Sequence, residues 1–414
     1  MTSRRTFVTA ALAGTATAIA CRREAPAPGG SGAPSGSEDR AWAAIRGQFE
    51  VDPAVTYLNN ASLGLPPRPV AVAVAGGYRL HSRDPLHAKH QLSRIVAEES
   101  IPALARLLGV EPDELALTRN ATEALHLQTV GLLLAPGDEV VTTTQEHPAG
   151  IKPWRYRAAR GGVVVKEVFI PSPFGDAEDV VGRLREAIGP RTKALACCHV
   201  TRGGHLYPVR EVCELARERG LASLIDGAQA VGMFPVDLRA LGCDAYSASL
   251  HKWLLGPVGT GVWFLRRDAR PRWRSAFEPD PTIDQPGLAP GGTADLPLRA
   301  AIATAVRFAE RIGLRAIESR CRYLSDHLKR RLAAIPAAQL VSGPTPRTSA
   351  PGSTIFVLGP LDPFTAVATL DERRLHIDEH VRDGHPAFRI STHYYHTTEE
   401  VDRAVESLAG LLPT

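Results

Sequence analysis

Net charge is what this chain lacks most: 48 lysines and arginines stand against 44 aspartates and glutamates in 414 residues, a formal excess of only +4. Its basic residues are dispersed, which argues against a nucleic-acid-binding or acidic-membrane surface. No internal repeat is present, so solenoid and array architectures are excluded. Cysteine is scarce, with six in the chain: Cys21, Cys197, Cys198, Cys213, Cys243 and Cys321. They form no C-x-x-C pair and no zinc-like spacing, so neither a metal site nor a disulfide scaffold is expected. Most lie in apolar strand or helix patterns and are expected to be buried thiols.

The amino terminus also lacks a membrane-spanning run: residues 7–20 are weakly apolar and too short to cross a bilayer. They follow Ser3-Arg4-Arg5-Thr6-Phe7-Val8, the pattern of a twin-arginine export signal. Cleavage is expected near Ala18-Ile19-Ala20, which gives a signal peptide over residues 1–21 and the twin-arginine translocase as a partner during export. Cys21 follows directly, so the mature protein is expected either periplasmic after simple cleavage or anchored by a lipid on Cys21; an uncleaved tail is the plain alternative. Residues 22–40, including "APAPGGSGAPSGSEDR", lack large apolar side chains and read as a disordered linker. Folding proper is expected from Ala41.

What remains is ordinary globular sequence, 44% hydrophobic and 22% charged, long enough for a single core to split into two domains. From Glu114 to Phe264, β-branched runs alternate with helical patterns: "DEVVTTT", "GVVVKEVFI", "TKALACCHV", "LASLID", "DAYSAS" and "TGVWFL" are separated by stretches such as "VREVCELARERG". This alternation predicts crossover units, a mostly parallel sheet and helices covering it. Ligands of such sheets gather at the carboxyl ends of the strands.

Four strand ends carry suitable groups. Asp226-Gly227-Ala228-Gln229 follows "LASLI", Glu146-His147-Pro148 follows "VVTTTQ", Thr201-Arg202-Gly203-Gly204-His205 follows "ALACCHV", and Leu250-His251-Lys252 follows "DAYSAS". A fifth element, "TRNATEALHLQTVGLLLAPGDEV", predicts a helix with Asn120 as N-cap, Glu123 completing a capping box, and an end at Pro136-Gly137. Its first turn offers free N–H groups and the Thr122 hydroxyl at the positive end of a helix dipole, a place for a phosphate. Singly, each residue has a bland explanation: a turn at Asp226, a cap at Asn120, a surface histidine at His147, a solvent-seeking ammonium at Lys252. Together, a lysine, a carboxylate, a histidine and a phosphate-ready helix start fall on one edge of one predicted sheet.

The combination resembles the class V aminotransferase family of pyridoxal-phosphate enzymes, which includes isopenicillin N epimerases, cysteine desulfurases and related lyases. The likeness runs from Tyr57-Leu58-Asn59-Asn60-Ala61-Ser62 through "EHPAGIKPW" and "LIDGAQAVGMFPVDLRALGCDAYSASLHKWLLGPVGTGVWFL" to "FRISTHYYHTTEEVDRAVESL". It implies an α/β fold of the aspartate-aminotransferase-like type (fold type I). That fold has a mostly parallel seven-stranded sheet with helices on both faces, plus a smaller carboxyl-terminal α+β domain. The large domain is expected over residues 41–295, its first segment partly in the small domain, and the small domain over 296–414.

The resemblance also implies roles. Lys252 is similar to the lysine that holds pyridoxal 5'-phosphate as a Schiff base and then moves the Cα proton. Asp226 resembles the carboxylate that keeps the ring nitrogen protonated, Gln229 the partner of the ring 3-oxygen, and His147 the residue stacked on the ring. Ala121, Thr122, Ser249 and His251 resemble phosphate contacts, and Thr201 belongs to the same cofactor-binding set. Thr293 in "PGGTAD" resembles a contact from the neighbouring subunit of a homodimer with a shared site. Arg389 resembles the clamp for a substrate α-carboxylate, and Asn59 or Asn60 is placed near the substrate entrance.

Two departures narrow the chemistry. "HIDEHVRDGHPAF", where a persulfide-carrying desulfurase needs a cysteine, has none. In "TRGGHLYP", Arg202 and His205 either recognise an acidic substrate side chain or shape a turn. The expected function is an exported enzyme acting at Cα of an amino acid, as epimerase or aminotransferase. The alternatives are a carbon–sulfur lyase without a carrier cysteine, or a binding protein that keeps the fold without catalysis. No nucleic acid is expected as a partner.

Overall fold

A computed structural model of the chain describes residues 36–275, 292–382 and 385–413. The twin-arginine motif, Cys21 and most of the expected linker lie outside them. The linker read over residues 22–40 is shortened, because the helix Gly36–Arg46 begins inside it.

Seven strands form the central sheet: β1 (Leu115–Thr118), β2 (Glu139–Thr143), β3 (Val164–Val168), β4 (Thr192–Cys198), β5 (Ala222–Asp226), β6 (Ala245–Ser249) and β7 (Gly261–Leu265). Their spatial order is β1-β7-β6-β5-β4-β2-β3. All neighbours are parallel except β7, which runs against both β6 and β1. Every residue of β2, β5, β6 and β7 is buried, as strands covered by helices on both faces require. The direction of strand addition reverses between β2 and β4, which opens a crevice at their carboxyl ends. The loops carrying Glu146-His147, Arg202, Asp226 and Lys252 all leave the sheet on that side.

A second sheet follows: β8 (Ala338–Leu340), β9 (Ser353–Leu358), β10 (Asp378–Arg382) and β11 (His385–Ser391), antiparallel in the order β10-β11-β9-β8. Its own core joins Phe356, Phe388 and Leu370 to Leu328, Leu332, Val401 and Leu408. The helix Leu296–Ile312 does not belong there, because Ile302, Val306 and Phe308 pack into the large-domain core. The division expected at 295/296 therefore moves into the helix Leu314–Ala333, whose Ile317 and Cys321 face the large core and whose Leu328 and Leu332 face the small one.

The amino-terminal segment ties the two cores together. Thr56–Tyr57 pairs in parallel with Leu375–His376, and Leu58 enters the small core. Arg46 meets the buried carboxylate of Glu400 at 2.8 Å, while Trp42 and Phe49 enter the large core. Cys197, Cys198, Cys213, Cys243 and Cys321 are buried free thiols.

Candidate active site

Lys252 sits in the connection between β6 and β7, and the surrounding packing leaves that connection little freedom. Gly64 lies so close that a Cβ there would stand 2.0 Å from the Lys252 carbonyl oxygen. A Cβ on Gly352 would stand 2.5 Å from the Trp253 ring. The Asn60 amide donates to the Lys252 carbonyl at 3.4 Å, and His393 Nε2 donates to the Trp253 carbonyl at 2.7 Å. Two residues on, Leu255 holds φ at 56°, a left-handed conformation costly for a leucine and tolerated because its surroundings over-determine it. The residue so held is half-buried. Burial brings its pKa down to about 8, opposed by the nearby Asp226 carboxylate and assisted by Arg389 and Arg202.

Asp226, 6% exposed, ends β5, its Oδ1 accepting the Ala228 N–H at 2.9 Å. Burial raises its pKa, while that hydrogen bond and the Lys252 ammonium pull it down. The following Gly227 is required by space, not by a turn: a Cβ would fall 1.9 Å from the Tyr246 ring, whose hydroxyl bonds His199 Nδ1 at 2.8 Å. Gln229 lies between two fixed partners, donating to the Ala61 carbonyl at 3.0 Å and accepting from Trp253 Nε1 at 2.7 Å.

The helix start is as expected in kind and different in extent. Asn120 accepts the Glu123 N–H at 2.9 Å, but Glu123 reaches back to the Arg119 N–H at 2.7 Å, one residue beyond the capping-box position. The helix is Ala121–Gly131, ending before Pro136 because the chain at Arg272–Arg274 crosses it: Leu133 N–H donates to the Arg272 carbonyl at 2.8 Å, and a Cβ on Gly131 would meet the Arg274 carbonyl. At its first turn the Ala121 N–H donates to Ser249 Oγ at 3.0 Å, so the two predicted phosphate contacts touch each other.

One cavity collects Ala121, Thr122, His147, Asp226, Gln229, Ser249 and Lys252. His147 caps the helix Pro148–Gly161, its Nδ1 accepting the Ala149 N–H at 3.1 Å. Other expected residues, Arg389 among them, lie off the cavity lining. Thr201 is buried and bonded to His205, so it shapes the loop that presents Arg202 to the cavity. His251 Nδ1 bonds the Thr260 carbonyl at 3.0 Å, closing the β6–β7 connection. Thr293 is exposed. Asn60 is fully buried between Lys252 and Tyr395, and it is Asn59 that accepts from Arg389, at 3.2 Å. His205 is 1% exposed, bonds the Val341 carbonyl at 3.0 Å and is pushed by burial to a pKa of about 4, so it stays neutral and shapes its turn.

Three site features escaped the sequence reading. Glu146 is buried, accepts from the Thr143 hydroxyl at 2.8 Å and the Cys198 N–H at 3.1 Å, and is raised to about 7 by burial, with Asp226 pushing it further up. Its position next to His147 at a strand end was the available signal. Cys198 itself lines the cavity. Asp378 pairs with Arg389 and Arg202, which nothing in the sequence marks.

These donors fit pyridoxal phosphate. A helix N-terminus flanked by two hydroxyls suits its phosphate, a buried carboxylate its ring nitrogen, and a desolvated amine its aldehyde. In cofactor-free protein, modification of Lys252 by an amine-directed reagent is expected to rise with a midpoint near pH 8. Asp226→Asn removes a charge that stabilises the ammonium and shifts that midpoint down; Arg389→Met removes one that destabilises it and shifts the midpoint up. A midpoint of an ordinary exposed lysine, about 10.4, in all three proteins would contradict the electrostatics described.

Among known proteins, the family described as "Aminotransferase class-V" matches residues 56–404. The chain is 34% identical over 399 residues to isopenicillin N epimerase of Amycolatopsis lactamdurans, spanning 90% of this chain and 98% of that one. It is 28% identical over 404 residues to a probable cysteine desulfurase of Pyrococcus abyssi, spanning 89% and 97%. A solved mutant of C-DES with glycine covalently linked to its pyridoxal-phosphate cofactor has the same fold, with a TM-score of 0.80 over 88% of this chain and 98% of that one at 24% identity. The chain therefore belongs to the class V aminotransferase family and is a fold type I pyridoxal-phosphate enzyme.

Proposed function

We propose that the enzyme moves a proton at Cα of an amino acid, as an epimerase or aminotransferase. The observation that carries this reading is the Lys252 amine, desolvated to a pKa of about 8 in the same cavity as the buried Asp226 and within electrostatic reach of Arg389. Identity to isopenicillin N epimerase over nearly the whole of both chains supports it. Bound pyridoxal phosphate supplies an electron sink that makes a Cα–H bond of an amino acid acidic. Lys252 Nζ, neutral in a large fraction near pH 8, would accept that proton, and inversion requires a proton delivered to the opposite face of Cα. Asp226 would hold a proton at the ring nitrogen. Ala121, Thr122 and Ser249 would hold the phosphate, and Gln229 and His147 the ring. Arg389 binds the α-carboxylate beside Asn59, and in a homodimer Thr293 reaches the partner's site.

A lyase that cleaves carbon–sulfur bonds without a carrier thiol uses the same proton-moving groups and is the second reading. It is favoured over persulfide transfer because the five described cysteines are buried, with burial raising every thiol pKa. Incubation of the cofactor-loaded protein with L-amino acids in deuterated water, with and without a keto-acid acceptor, separates the readings. Deuterium at an inverted Cα is the outcome expected of an epimerase, a new amino acid that of an aminotransferase, and sulfide or pyruvate that of a lyase. No product and no exchange with any amino acid would sink all of them.

The Arg4-Arg5 pair supports export by the twin-arginine route, which moves folded proteins and so suits an enzyme that acquires its cofactor in the cytoplasm. A reporter fused to residues 1–40 is expected to be exported, and to stay inside when Arg4 and Arg5 become lysine. Equal export of both fusions would rule the route out.

A further inference from the structure

The arginine proposed to receive the substrate carboxylate is already partnered. Arg389 lies on β11 directly opposite Asp378 on β10, and the two side chains, 4% and 15% exposed, form an ion pair inside the protein. Asp378 and Asn59 both accept from Nη2 of Arg389, while its Nε, on the same edge of the guanidinium fork, is buried without a partner among the described residues. Asp378 has a second cation: Arg202 Nη2 stands 3.3 Å from it and is held by the Glu379 carbonyl at 3.1 Å. Arg202 also lines the cavity that contains Lys252.

The charges limit what fits. Two guanidiniums share Asp378, and Glu379 also acts on Arg389, so the cluster offers at most a single positive charge to an incoming molecule. One α-carboxylate neutralises it while Asp378 keeps Arg202. A second carboxylate meets no remaining positive charge and faces Asp378 itself, a like charge in a poorly hydrated space. A cationic side chain meets two arginines. The β10–β11 ladder fixes the backbone of Asp378 opposite Arg389.

We propose that Asp378 sets the charge selectivity of the substrate site, holding the place of a second carboxylate and so restricting the enzyme to amino acids with one carboxylate and an uncharged side chain. This rests on the amino-acid reading above. It assigns Arg202 to Asp378 and not to an acidic substrate side chain.

The test uses the full chain loaded with pyridoxal phosphate, titrated with L-norvaline and with L-glutamate, which share a five-carbon backbone and differ by one carboxylate. Binding is read from the change in cofactor absorbance. The wild type is expected to bind norvaline more tightly than glutamate, and Asp378→Asn to improve glutamate relative to norvaline by about tenfold or more. Asp378→Asn combined with Arg202→Met restores the original net charge and is expected to return the ratio towards wild type, which a merely structural role for Asp378 would not do. Should Asp378→Asn fail to fold, Arg202→Met alone decides, since it is expected to widen the bias against glutamate. A ratio unchanged in these variants, or wild-type preference for glutamate, overturns the selectivity alone. Absence of any spectral response to either amino acid in the wild type overturns the amino-acid reading and the selectivity with it.

Discussion

Desolvation of the Lys252 amine is the constraint around which the rest of the molecule is arranged. An ammonium kept from water is costly, and its pKa falls to about 8 unless neighbouring charges hold it up. Asp226 does so in part, and two arginines oppose it. The amine is thereby poised between its two protonation states at ordinary pH, which is what a nucleophile and proton carrier needs. A lysine on a mobile loop would relax into solvent. Here Gly64, Gly352, Asn60 and His393 close on the backbone of Lys252 and Trp253 from the large and small domains alike, so the amine stays where it is costly.

That clamp explains why the two domains are stitched together by the amino-terminal segment. Leu58 enters the small core, Asn59 reaches Arg389, Asn60 reaches Lys252, and Gly64 packs against the lysine's own carbonyl. Seven consecutive residues thus connect the proposed carboxylate clamp to the proposed catalytic amine. Changes in the relative position of the domains would move both.

Much of this was legible in the sequence. The runs ending in Asp226 and Ser249, "ASLID" and "AYSAS", carry no charged residue before their last positions, because both faces of these strands are buried, and their ends mark the crevice. β1 was not legible: "LALT" is four residues, too short to show a period. The end of the helix at Gly131 depends on the distant chain at Arg272–Arg274, which no local signal announces. Asn59 and Asn60 are adjacent and chemically identical, and only their opposite orientations in the segment assign one to Arg389 and the other to Lys252. Asp378 is a further case: its role comes from the register of a hairpin, which places it opposite Arg389 across eleven residues of sequence.

The central claim is that cofactor chemistry takes place at Lys252. Borohydride reduction of the pyridoxal-phosphate-loaded protein, followed by peptide mass mapping, tests it most directly. The account predicts the phosphopyridoxyl mass on the peptide that contains Lys252 and on no other. Label found instead on Lys89, Lys152, Lys166, Lys193 or Lys329, with Lys252 unmodified, would contradict it.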